Sequence, residues 1–86
     1  MCTYVTNTAE VSGSGYAHGE WIDVRTVVVS YDHPQHAPLE HALCIDFRTG
    51  GDPGSRVAVE LDAASARRLA AAILATLDSD EAKTLG

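Results

Sequence analysis

The sequence is poor in cationic side chains. It has six Lys and Arg residues against twelve Asp and Glu, which gives a formal net charge of −6. Phosphate recognition needs clustered Lys and Arg, so this balance argues against a nucleic-acid partner. The same negative charge disfavours an anionic membrane surface. We therefore expect neither nucleic acid nor membrane among the partners of this chain.

Long hydrophobic runs and cysteine pairs are also lacking. No segment approaches the ~20 apolar residues of a transmembrane helix. Residues 1–10 have neither the positive start nor the apolar run of a signal peptide. These absences predict a cytoplasmic protein. In that compartment we expect Cys2 and Cys44, which are the two cysteines of the chain, to be reduced thiols rather than a disulfide.

The sequence does contain enough apolar residues for one small domain. Hydrophobic residues make up 45% of the 86 positions, which is ordinary for a globular protein. A chain of this length buries only a little over ~60% of the surface that it exposes when unfolded, so its core must be modest. We expect one domain over residues 1–78 and an acidic C-terminal tail over residues 79–86.

Alternation of side chains and the positions of Gly and Pro predict four strands. The segments are rich in Val, Ile, Thr and aromatic residues, and Gly-rich or Pro-rich breaks separate them. The predicted strands lie near residues 2–11, 20–31, 41–49 and 56–61. Short breaks between successive strands favour an antiparallel meander.

One helix is predicted after the strands. Asp62 is a good N-cap residue for a helix over residues 63–77. Apolar residues then recur at helical spacing at Ala66, Leu69, Ala70, Ile73 and Leu77. The fold class is therefore α+β, a four-stranded antiparallel β-meander with one C-terminal helix packed on one face.

A single helix can cover only one face of such a sheet. We expect it to cover the face that carries Leu43, Ile45, Phe47, Val57, Val59 and Leu61. The opposite face would then keep Val27, Val29, Tyr31, Cys44 and Ala58, with Trp21 as a further candidate. A half-apolar open face usually pairs with another subunit, so we expect a homo-oligomer, most simply a dimer.

The stretch from 31 to 41 concentrates the residues that could carry chemistry. Three of the four histidines, His33, His36 and His41, lie within nine positions. Imidazole and thiolate are zinc and copper ligands. However, the spacing matches no compact metal motif, and His41 and Cys44 should point to opposite faces of a strand. The metal and cofactor assignments therefore stay open.

General acid–base catalysis is a second interpretation of this loop. His33 or His36 could work beside Asp32 or Glu40, because a carboxylate orients an imidazole and fixes its tautomer. The candidate catalytic residues are Asp32, His33, His36 and His41. The simpler alternative is a polar loop whose histidines bond to nearby backbone, with Asp32 beginning a turn.

Two other patterns lead to structural interpretations. Cys2 follows the initiator Met and would be an N-terminal nucleophile if that Met were removed, but a half-buried strand residue is the better interpretation. Residues 13–19 are glycine-rich like a phosphate-binding loop. They lack the third glycine in register and precede no helix, so we interpret them as a hairpin loop.

Several stretches resemble a family of short uncharacterised proteins from high-GC bacteria. They are residues 1–5, residues 31–38 with their Asp-His-Pro-x-His-Ala-Pro pattern, and residues 57–66. The resemblance spans nearly the whole chain and implies a natural, single-domain cytoplasmic protein. It transfers no activity, ligand or catalytic residue. Some such proteins are found with biosynthetic genes, which is compatible with a role in secondary metabolism.

Two hypotheses of function remain. The first is small-molecule binding or catalysis at the histidine-rich loop over 31–41. The second is a non-catalytic domain that oligomerises or binds another protein through the open face of its sheet. The sequence leaves open whether the protein is an enzyme.

Overall fold

A computed structural model of the chain describes residues 5–49 and 55–86. Its elements in chain order are β1 (Val5–Ala17), β2 (Glu20–Asp32), β3 (Ala42–Arg48), β4 (Arg56–Leu61), α1 (Ala63–Leu77) and α2 (Asp80–Leu85). Each strand pairs antiparallel with the next, in the order β1-β2-β3-β4. The predicted α+β meander is thus confirmed. Residues 2–4 of the first predicted strand lie outside the described residues.

The β1–β2 hairpin is longer than the sequence predicted. A hairpin loop was predicted over 13–19, but β1 continues to Ala17. The pairing shifts register between Glu10 and Gly13, so a bulge absorbs the irregular segment and the ladder resumes beyond it. Cross-strand pairing with β2 therefore overrides the weak strand propensity of Gly and Ser.

The distal half of this hairpin extends as an arm beyond the end of β3. A two-residue turn closes it at His18 and Gly19, whose φ angles are 53° and 82°. These left-handed values are typical of the tight turns that join antiparallel strands. Tyr16 and Trp21 face each other across the arm, with ring centroids 5.3 Å apart. Both rings are largely exposed, Trp21 at 69%.

Pairing across β2, β3 and β4 corrects the expected distribution of apolar residues. Val29 lies opposite Ile45, which lies opposite Val59, and Tyr31 lies opposite Leu43. Residues directly opposite each other in antiparallel strands share a face. The prediction that Val27, Val29 and Tyr31 occupy the face away from the helix is therefore wrong. They lie on the helix side, and the other face is mainly polar.

Helix α1 begins and ends as its caps dictate. The Asp62 carboxylate accepts a hydrogen bond from the Ser65 N–H at 2.7 Å, and Asp78 forms the C-cap. A second short helix, α2, follows in the segment predicted to be an acidic tail. Its Ser79 N-cap accepts from the Ala82 N–H, and Asp80 and Glu81 in its first turn suit the helix dipole.

The hydrophobic core is very small. Among the described residues, Val24 and Ala42 are the apolar side chains that are buried, and no large side chain is fully buried. Helix α1 leaves Leu69, Ile73, Leu74 and Leu77 exposed. No helix in the described part of the chain is long and apolar enough to cross a membrane.

The hairpin arm meets β4 at Gly15, which yields a test of the fold. A Cβ at Gly15 would lie 3.2 Å from Val24 Cγ2 and 3.3 Å from Val57 Cγ2, whereas a Cβ at Gly13 would meet nothing within 4 Å. We expect Gly15→Val to lower the free energy of unfolding by about 1–3 kcal/mol through overpacking. Urea unfolding at a fixed protein concentration measures the change. Gly13→Val is the matched control, and an equal loss in both variants would contradict this packing.

Candidate functional site

The polar face of the sheet carries the charged side chains of β3 and β4. The register aligns Ser30, Cys44 and Glu60 in one cross-strand row, and Thr26, Arg48 and Arg56 in another. Asp46 lies between these two rows. Together with Asp32 and His33, several of these residues line a concavity of about 190 Å³. The polar face is therefore the part of the molecule that gathers chemically active groups.

Glu60 attaches the histidine-rich loop to the sheet. One carboxylate oxygen accepts the backbone N–H of Gln35 at 2.6 Å, and the other accepts those of His36 and Ala37 at 3.0 and 2.9 Å. The hydrogen bonds from Ala37, Gln35 and then His36 hold the pKa of Glu60 below its ordinary value. A single ionised side chain of β4 thus fixes the backbone of residues 35–37.

Two of the three predicted histidines come together. The ring centroids of His33 and His41 are 4.9 Å apart, and those of Tyr31 and His41 are 5.9 Å apart. His33 Nδ1 lies 2.9 Å from the Glu40 carbonyl oxygen. A carbonyl oxygen can only accept, so His33 Nδ1 donates in this contact.

The other predicted site residues are placed differently. His36 lines a separate shallow depression with Gln35, Ala37 and Glu60. The Asp32 carboxylate accepts the backbone N–H of His33 at 2.6 Å, as in a turn. Within residues 5–49 and 55–86, no group of three His, Cys, Asp or Glu side chains is close enough to hold a metal ion.

Cys44 is half-buried near the centre of the polar face. Burial, together with the negative charges of Glu60 and Asp32, raises the pKa of its thiol. Its Sγ lies 3.8 Å from the Ala42 carbonyl oxygen. A thiol with a raised pKa stays protonated at neutral pH and is a poor nucleophile. Cys2, which the sequence offered as an N-terminal nucleophile, lies outside the described residues.

Sequence reasoning missed a charged cluster around Asp46. Asp46 Oδ2 accepts from Arg48 Nε at 2.8 Å and Nη2 at 2.7 Å, and from Arg56 Nη1 at 2.9 Å. Asp46 is only 9% exposed. The alternation of Asp46 and Arg48, with Arg56 opening the next strand, was the signal for this cluster. The sequence alone did not supply the register that brings Arg56 opposite Arg48.

The helix face holds a second, very different concavity. An apolar groove of about 610 Å³ separates the sheet from α1. Its sheet wall is formed by Val29, Tyr31, Leu43 and Ile45, and its helix wall includes Ala66, Leu69, Ala70 and Ile73. The helix therefore stands off the sheet instead of closing a core against it.

These features define a small α+β domain with a polar concavity on one face and an open apolar groove on the other. The chain belongs to a family of unknown function, DUF6295, whose family model matches residues 1–86. No curated protein and no solved structure matches the chain. The expected membership of an uncharacterised single-domain family is confirmed, whereas the expected bacterial source stays a prediction.

The attachment of the loop through Glu60 makes stability depend on pH. The pKa of Glu60 is lowered from 4.5 in the folded state. Its contribution is therefore present above pH 4.5 and is lost as the pH falls toward the folded value. We expect Glu60→Gln to be less stable than the parent protein at pH 7, with a difference that shrinks below pH 4.5.

Urea unfolding between pH 3 and 7 measures this difference. Glu20→Gln, on the exposed hairpin arm, is the matched control and should track the parent protein. A constant difference across the pH range would contradict the role assigned to Glu60. The amide signals of Gln35, His36 and Ala37 should move in Glu60→Gln alone.

Proposed function

We propose that this domain acts as a homodimer and that the apolar groove, with the exposed side of α1, is the dimer interface. The observation that carries this proposal is the groove itself. It is lined by Val29, Ile45, Leu69 and Ile73 and open to water. An apolar surface of this size on a small protein usually marks an interaction site.

The total exposed surface supports a partner of substantial size. The chain exposes 6411 Å², whereas a compact monomer of 9.1 kDa exposes about 4,900 Å². The excess of about 1,500 Å² per chain falls within the range that obligate homodimers bury. The radius of gyration of 14.4 Å likewise exceeds the ~12 Å of a compact chain of this length.

A second copy of the chain fits this surface because its own helix α1 supplies an apolar ridge for the groove. The groove needs an apolar ridge, and α1 presents one in Ile73, Leu74 and Leu77, which are between 51% and 60% exposed. Ala66 and Ala70 on the groove wall leave room for a second helix. Two-fold symmetry would place each α1 against the groove of the other copy and fill both at once.

Replacing Ile73 tests this interface. Ile73 lines the groove and is 51% exposed. Ile73→Glu removes the free energy gained by burying one Ile side chain, about 1.5–3 kcal/mol for each copy, and places a charge in the interface. The dimer Kd should therefore rise at least ~100-fold. Sedimentation velocity and light scattering over a dilution series measure the effect.

Leu85→Glu is the control for added charge. Leu85 is 86% exposed and lies in α2, outside the groove. This variant should dimerise like the parent protein. A parent protein that is monomeric at high micromolar concentration would contradict the proposal. So would an Ile73→Glu variant with unchanged dimer affinity.

Small-molecule binding or catalysis at the loop over 31–41 is a second candidate function. It is favoured by the hydrogen bonds that Glu60 makes to the loop and by the stack of Tyr31, His41 and His33. Such order prepares imidazole rings for a ligand. Asp32, His33, His36 and His41 remain the candidate residues, with secondary metabolism as the proposed setting.

Zinc is the probe that tests this second candidate. If His33 and His41 act together, zinc should shift the ring NMR signals of both, because their centroids are 4.9 Å apart. His33→Ala should abolish the response of His41, whereas His18→Ala on the hairpin turn should leave it unchanged. Rings that respond separately or not at all would leave an ordinary polar loop.

A further inference from the structure

We propose that Arg48 and Arg56 form a binding site for the oxyanion group of a small molecule, a carboxylate or a phosphate. The two arginines lie directly opposite each other on β3 and β4, on the polar face of the sheet. This face is opposite the apolar groove, so the proposal does not depend on the proposed dimer.

The placement of the two arginines is unfavourable without a counter-charge. Like charges directly opposite each other destabilise an antiparallel pair of strands. Asp46 supplies one negative charge to both guanidinium groups. The cluster of Asp46, Arg48 and Arg56 therefore keeps a net charge of about +1 in a chain of net charge −6.

The hydrogen bonds of the cluster leave donors for a ligand. Both arginines bond to the same oxygen, Asp46 Oδ2, whereas the buried Oδ1 has no hydrogen-bond partner among the described residues. The guanidinium groups of Arg48 and Arg56 make no other hydrogen bond to the described residues, 5–49 and 55–86. Each has five N–H donors in a planar fork that suits carboxylate and phosphate oxygens.

The two guanidinium groups are held in place yet open to solvent. Their side chains are 51% and 46% exposed, while that of Asp46 is 13% exposed. They line one end of the 190 Å³ concavity. Asp46 thus positions two donors in advance, which reduces the entropy that a ligand must lose.

Other acidic groups of the concavity do not cancel this charge. Glu10 shares the row of Arg48 but lies two strands away, across Thr26, at a distance of about 10 Å. The row of Glu60 lies four residues along β4 from Arg56, a distance of about 13 Å in a strand. Both distances exceed the Debye length of about 8 Å at physiological salt. Glu60 is also engaged with the loop N–H groups. The Arg48–Arg56 end therefore remains locally positive.

NMR titration of the full chain with sodium phosphate and with sodium acetate tests the proposal, with sodium chloride matching the ionic strength. We expect saturable shifts of the Arg48 and Arg56 side-chain signals. In Arg48→Gln and in Arg56→Gln the affinity should fall at least about tenfold, the effect of losing a charged hydrogen bond. Arg56→Lys keeps the charge but loses the fork and should also weaken binding.

Arg25→Gln is the matched control. Arg25 lies on the hairpin arm with Asp23 at 3.8 Å and is 66% exposed, so its loss should change the affinity less than twofold. A response to phosphate alone assigns a phosphate ligand, and a response to acetate alone assigns a carboxylate. Absence of saturable shifts, or an equal loss of anion affinity in Arg25→Gln and Arg56→Gln, would contradict the proposed site.

Discussion

The register of β3 against its two neighbours controls most of what this molecule can do. Because β2, β3 and β4 align Val29 with Ile45 and Val59, the large aliphatic side chains of β3 and β4 share one face. The same register puts Arg48 opposite Arg56 on the other face. A shift by one residue would reverse both faces. The groove and the charged cluster are therefore two results of one pairing pattern.

The separation of aliphatic and polar side chains onto two faces of the sheet also explains the small core. One amphipathic helix cannot cover the aliphatic face of a four-stranded sheet, and α1 stays apart from it along the groove lined by Leu43 and Ile73. An 86-residue chain gains little from burial within itself. Self-association would let the aliphatic face gain stability without lengthening the chain, and would leave the polar face open to solutes.

Local sequence signals predicted some elements well and others poorly. The alternation over 56–61 and the cap at Asp62 located β4 and α1 almost to the residue, since both depend on neighbouring side chains. The assignment of Val27, Val29 and Tyr31 to the wrong face arose because nothing local fixes how β2 meets β3 across the intervening loop. Likewise, Glu60 was visible only as a polar strand position, because its partners are 23 to 25 residues away.

The exposed hairpin arm has a practical consequence for optical measurements. Trp21 is the single tryptophan of the chain, and 69% of it is exposed beside Tyr16 at the end of the arm. Its indole is already hydrated in the native protein, so its emission spectrum shifts little when β3, β4 and α1 come apart. Far-ultraviolet circular dichroism or amide NMR signals report the loss of the sheet and helix directly, whereas indole fluorescence reports on the hairpin arm.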